Sequence, residues 1–215
     1  MNSCSSNLCL YAITDRSWLN VETLSQQVEK ALKGGATMLQ LREKHLSKEA
    51  FIKEALVIKK LCRTYNVPLI INDNVDIALA IDADGVHVGQ QDQAVNEVRK
   101  KLGPHKIVGV TAKNIEQARV AQQQGASYLG VGAVFETTTK LDTRKISLET
   151  LKTICETVNM PVVAIGGITQ NNINELIGTG IHGVAVISAI FAQSDIEAAT
   201  KSLKKQVEMI LNQAI

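Results

Sequence analysis

Arg42 and Lys44 stand two residues apart in the segment QLREK, with Gln40 two residues earlier. Side chains alternate along a strand, so these three share one face while Leu39 and Leu41 take the other. Two cations held that close repel each other unless an anion joins them. A phosphate or diphosphate suits Arg and Lys well. A plainer arrangement pairs Arg42 and Lys44 with Glu43 or a neighbouring carboxylate at the surface, but strand parity turns Glu43 the other way.

In LIINDN, Leu69 to Asn74, an apolar run stops abruptly at Asn-Asp-Asn. A carboxylate left unpaired at the lip of an apolar core is costly. Asp73 here and Asp92 after the next run are oxygen ligands that could converge on Mg²⁺, which takes one or two carboxylates beside phosphate oxygens and water. The same two residues could act as general acid and base, or Asp73 could cap a helix beginning near Val75. Spacing leaves all three open.

FETTTKLD, Phe135 to Asp142, places three hydroxyls and a lysine in a loop of the kind that closes over a phosphate. AIGGI and VISAI follow later. Glycine there lets the backbone approach a ligand, and Ser188 could begin a helix whose amides face an anion. Two anion sites result, one beside Arg42 and Lys44 with a metal, one beside the glycines without. His45, His87, His105 and His182 have neither metal-ligand spacing nor a triad-like setting. His87, within GVHVG, reads as a hydrogen-bonded core residue.

The elements that must hold these groups are short apolar runs alternating with amphipathic segments. Strands are predicted at Leu8–Thr14, Thr37–Glu43, Val67–Asn72, Gly85–Gly89, Lys106–Thr111, Ser127–Phe135, Pro161–Gly167 and Gly183–Ser188. Helical patterns lie between them, the last near Ala192–Leu211, and Gly34-Gly35, Gly125 and Gly180 suit left-handed caps. Strand–helix alternation calls for parallel strands and crossover helices, and eight copies point to an α/β protein with a single (β/α)8 TIM barrel. An open doubly wound sheet usually has fewer strands, and no phosphate-loop glycine pattern follows the first strand. In a barrel all eight strand ends meet on one face, where active sites gather.

One domain spanning residues 1–215, with residues 1–7 frayed, accommodates this length, and 45% hydrophobic residues supply a core. A formal charge of +2 gives no electrostatic reason to expect nucleic acid or a membrane surface as partner. No apolar run approaches the roughly 18–20 residues that span a bilayer, and no signal peptide is visible, so a cytoplasmic protein is expected. Cys4, Cys9, Cys62 and Cys155 form no Cys-x-x-Cys pair. They read as reduced structural thiols, with Cys4 and Cys9 in the frayed terminus, where a weak surface metal site is the alternative.

LYAITD, GGATMLQLREK, PLIINDNVDIAL, ADGVHVGQQD, IVGVTA, GAVFETTTK, PVVAIGGI and GVAVISAI occur in this order along nearly the whole chain, which thereby resembles the thiamine phosphate synthase family. The resemblance implies a (β/α)8 barrel that joins a pyrimidine diphosphate to a thiazole phosphate, releasing pyrophosphate with Mg²⁺. By position it implies that Gln40, Leu41, Arg42, Glu43, Lys44, Asn72, Thr111 and Lys140 hold the pyrimidine diphosphate. Asp73 and Asp92 would ligate the metal, and Thr137, Thr138, Thr139, Gly167, Ile187 and Ser188 would hold the thiazole phosphate. Arg42, Lys44, Lys140 and Thr111 would carry the catalysis.

Three positions depart from the family. Thr111 stands where serine is common, which keeps the hydroxyl. Ala133 and Glu136 replace prolines, which should loosen that segment, and Glu136 adds a negative charge. The chain is also similar to the sister thiazole tautomerases, which tend to lack the paired aspartates and use a histidine where Ala133 stands here. A non-catalytic barrel that binds thiamine phosphate is the alternative from another class, and a homo-oligomer remains open.

Overall fold

The computed structural model describes residues 7–19, 21–137 and 145–213. Each apolar run forms a strand: β1 Leu10–Ile13, β2 Met38–Leu41, β3 Leu69–Asn72, β4 Gly85–Val88, β5 Ile107–Ala112, β6 Tyr128–Gly132, β7 Val162–Ile165 and β8 Gly183–Val186. Neighbours pair in parallel in chain order, and β1 pairs with β8 to close a single (β/α)8 TIM barrel. Both faces of such a sheet are covered, so its strands are continuous apolar runs.

Helices α1 Leu24–Lys33, α2 Lys48–Thr64, α3 Val75–Ala80, α4 Val95–Leu102, α5 Ile115–Gln123 and α6 Leu148–Thr157 connect successive strands from β1 to β7. The crossover after β7 is only a 3-10 turn, Ile173–Leu176. After β8 come the short α7, Ser188–Phe191, and α8, Ile196–Asn212. The last helix thus begins later than Ala192 because Asp195 caps it, accepting from the Ala198 amide at 3.0 Å. Thr23, Ser47, Asn74, Asn114 and Ser147 cap α1, α2, α3, α5 and α6 in the same way.

Strand parity sorts the core into two parts. Leu39, Leu41, Ile71, Val86 and Val108 pack outward beneath the helices. Tyr11, Met38, Ile70, Tyr128 and Val163 fill the barrel interior. Cys9 belongs to this wall and not to a frayed end, since its carbonyl accepts from the Val184 amide. Burial pushes the thiols of Cys9, Cys62 and Cys155 up to about 11, 12 and 12, leaving them protonated and unreactive. Cys4 lies outside the described residues.

Of the expected left-handed glycines, Gly35, Gly125 and Gly180 have φ of 98°, 86° and 81°. Gly34 is right-handed instead, at φ −68°. It is needed for space: a Cβ there would lie 2.6 Å from both the Glu197 carbonyl oxygen and Thr200 Cβ, where α8 crosses the end of α1. Gly34→Ala is expected to destabilise the protein by about 1–3 kcal/mol through overpacking, read as a lowered midpoint in urea unfolding.

Candidate active site

At the carboxyl ends of the strands lies a cavity of about 500 Å³. Its lining comes from every strand end except those of β1 and, apart from Lys44, β2. Lys44, Asn72, Asp73, Asp92, Thr111, Thr137, Gly167, Ile187 and Ser188, all expected from the sequence, line it. Thr138, Thr139 and Lys140 lie outside the described residues.

Asp73 and Asp92 meet on one wall. Lys44 donates to Asp73 Oδ2 at 3.0 Å, and the Asn72 amide donates to the same oxygen at 2.6 Å. Asp92 Oδ2 accepts from the Gly89 amide at 2.7 Å, which ties the loop after β4. Burial opposes ionisation of both carboxyls. At Asp73 the charge and hydrogen bond of Lys44, with hydrogen bonds from Asp92 and Asn72, more than offset this and hold it below the usual carboxylate range. Asp92 is pushed up by burial and by the charge of Asp73, despite the Gly89 hydrogen bond. Among the described residues no group of three or more His, Cys, Asp or Glu could hold a metal. Two carboxylates without a softer ligand fit a hard cation that completes its shell with phosphate oxygens and water, as Mg²⁺ does.

Asp73 reaches this position through a backbone φ of 60°, uncommon for a residue with a side chain. Its amide donates to the His87 carbonyl at 2.8 Å, which pins the turn to β4. The reading of Asp73 as a helix cap is corrected here: Asn74 caps α3, accepting from the Ile77 amide at 2.9 Å. Asp73 is thereby left to face the cavity. Strain of this kind persists where surrounding bonds over-determine it, often at functional sites.

The remaining residues of QLREK divide. Arg42 does not line the cavity; its Nη1 donates to Asp15 Oδ2 at 2.8 Å and its amide to the Thr14 hydroxyl, which binds it to the β1 end. Gln40 is buried inside the barrel and donates to the Tyr11 hydroxyl at 2.6 Å. The side chain of Leu41 packs in the outer core, and that of Glu43 turns to Arg16 at 2.8 Å, so neither side chain reaches the cavity. Parity explains both, because odd positions on this strand point away from the mouth. Arg42 and Lys44 do each have a carboxylate partner, as the plainer arrangement held, although neither partner is Glu43.

The opposite wall is backbone. Gly167 has φ 67°, and a Cβ there would strike the Glu136 carbonyl at 2.2 Å, so only glycine lets the two loops touch. Val134 and Phe135 donate their amides to the carbonyls of Ile165 and Gly166 at 3.0 Å each, which ties this segment to β7 despite the missing prolines. Ile165, Ile168 and Ala185 give the cavity an apolar floor and side suited to small rings.

Sequence reasoning overlooked Lys113 and Gln117, which line the cavity beyond β5; Asp15, legible as a polar residue at the end of β1, holds Arg42. Lys113 could have been found as a cation two residues past Thr111. His87 was placed in the core, and it is buried and hydrogen-bonded, yet it also borders the cavity.

An acidic pair beside an ammonium on one wall, with glycine backbone and Ser188 across from it, stands on the face where TIM-barrel enzymes carry their active sites. Residues 10–190 match the family described as thiamine monophosphate synthase. The chain is 46% identical over 201 residues to the thiamine-phosphate synthase of Clostridium botulinum, covering 94% of each chain. It is 49% identical over 205 residues to that of Ruminiclostridium cellulolyticum, covering 95% of this chain and 96% of the other. The solved thiamine phosphate pyrophosphorylase from Pyrococcus furiosus superposes with a TM-score of 0.90 at 40% identity, over 97% of this chain and all of that one. The chain belongs to the thiamine monophosphate synthase family, and with it to the transferases of thiamine biosynthesis.

Because Asn74 and not Asp73 caps α3, Asn74→Ala is expected to cost about 1 kcal/mol in urea unfolding. Asp73→Asn should leave that midpoint nearly unchanged.

Proposed function

We propose that the protein condenses a pyrimidinylmethyl diphosphate with a thiazole phosphate, giving thiamine phosphate and pyrophosphate, with Mg²⁺ held by Asp73 and Asp92. The observation that carries this reading is the meeting of Lys44, Asp73 and Asp92 on one wall, opposite Gly167 and Ser188. β3 and β7 lie four strands apart in an eight-strand barrel, so these walls face each other across the mouth. Two anionic substrates would be anchored by their phosphates at opposite poles, with their rings meeting between them.

The bond between the pyrimidinylmethyl carbon and the diphosphate oxygen breaks, and its electron pair leaves with pyrophosphate. The thiazole nitrogen donates its lone pair to the resulting resonance-stabilised cation. Mg²⁺, when bound, supplies neutralising charge for the diphosphate. Lys44 and Lys140 add ammonium charge where negative charge develops, and Arg42, oriented by Asp15, contributes from behind the rim. Asn72 and Thr111 donate hydrogen bonds to the first substrate. Thr137 to Thr139, Gly167, Ile187 and Ser188 hold the second substrate's phosphate. No protein nucleophile is required. Cys9, Cys62 and Cys155 are free thiols, as suits a reducing, cytoplasmic setting.

The sister tautomerase reaction needs neither a diphosphate nor Mg²⁺, so one assay separates the two. Purified protein with both substrates should form thiamine phosphate and pyrophosphate in equal amounts, and chelation should stop both. Asp73→Asn should lower turnover by about 100-fold or more, with partial recovery at high Mg²⁺. Full activity of that variant at low Mg²⁺ would remove Asp73 from the metal site.

A further inference from the structure

The barrel interior contains a chain of polar side chains that leads to Thr111 and whose tyrosines and histidine have no part in the proposed reaction as described so far. Gln40 on β2 donates through Nε2 to the Tyr11 hydroxyl on β1 at 2.6 Å. The Tyr11 and Tyr128 hydroxyls are 2.8 Å apart, and the Tyr128 hydroxyl is 2.9 Å from His87 Nδ1. His87 Nε2 then lies 3.0 Å from the Thr111 hydroxyl on β5, at the cavity wall. Gln40, Tyr11, Tyr128 and His87 are 2%, 1%, 0% and 7% exposed.

Hydroxyls and an imidazole so deeply buried are costly unless paired, and an apolar core of the same shape would avoid the risk. The fold makes room for them. A Cβ at Gly109 would stand 2.2 Å from Tyr128 Cζ and 2.5 Å from His87 Nδ1. A Cβ at Gly130 would stand 3.1 Å from His87 Cε1. Glycines on two adjacent strands thus leave the space in which the tyrosine and histidine meet.

An amide nitrogen only donates, so Tyr11 accepts from Gln40. At the Tyr11–Tyr128 and Tyr128–His87 contacts either atom can be the donor. We propose that the protons run from Tyr11 to Tyr128 to His87 Nδ1, so that the ring proton sits on Nε2 and is given to the Thr111 oxygen at the cavity wall. Tyr128 and His87 are then positioning residues which hold the Thr111 hydroxyl as a donor aimed at an oxygen of the diphosphate substrate. This rests on the assignment of Thr111 to that substrate.

Two measurements test it. Nitrogen-15 NMR of the imidazoles, with His87 assigned by loss of its signal in His87→Gln, should show a proton on Nε2 and none on Nδ1. A proton on Nδ1 would reverse the chain and overturn the proposal, and this reading needs no substrate. In kinetics, Tyr128→Phe and Thr111→Ala should each lower kcat/KM for the pyrimidine diphosphate about tenfold, without changing KM for the thiazole phosphate. The double variant should be no worse than Thr111→Ala alone. Multiplying losses, or an undiminished Tyr128→Phe, would show that Tyr128 does not act through Thr111. Absence of wild-type turnover would instead count against the proposed reaction, leaving the NMR result to decide the relay.

Discussion

Asp73 and Asp92 share one wall of a cavity, and two like charges so placed repel unless positive charge stands between or beside them. Lys44 offsets part of that repulsion by pairing with Asp73, which holds one carboxyl down while the other is pushed up. In the proposed reaction the imbalance that remains is met by a hard cation, and that cation by the diphosphate. Much of the local structure serves this juxtaposition. The strained turn at Asp73, the cap at Asn74 and the Gly89 hydrogen bond each fix one side of the pair.

Closure of the sheet supplies the second half of the site. A parallel barrel brings all its strand ends to one face, so the acidic wall at β3 and β4 stands across from the glycines and Ser188 at β7 and β8. The separation of these two walls follows from strand count and order, without any special loop. The opposite pole carries a different kind of polar contact. There Arg99 donates to the carbonyls of Gly103, Lys106 and Gly125, and Lys59 to those of Ile81 and Asp82, which ties loops together.

The barrel was legible in the sequence because eight doubly buried strands leave eight apolar runs, most of them followed by a polar residue at the rim. Asp73, Lys44 and Ser188 could be read because each lies just past a strand end, and Asp92 because it lies in the loop that follows β4. Period-two alternation also sent Leu39 and Leu41 outward and Gln40 inward. It could not say what Gln40 and Arg42 would meet. Their partners, Tyr11 and Asp15, lie 29 and 27 residues away, and only the closed register brings them within 2.6 and 2.8 Å. The Tyr128–His87 contact was hidden for the same reason, since it depends on a glycine on the intervening strand. Helix boundaries were read less well than strands, because a cap such as Asp195 competes with an apolar periodicity that extends beyond it.

Coupling between the metal and the diphosphate at the acidic wall can be measured without either heterocyclic substrate. Calorimetric titration of the protein with inorganic pyrophosphate, with and without Mg²⁺, reads it directly. Pyrophosphate is expected to bind about tenfold or more tightly with the metal, and Mg²⁺ to gain the same factor from pyrophosphate, as linkage requires. Equal pyrophosphate affinity in both conditions would contradict a metal-bridged diphosphate site at Asp73 and Asp92.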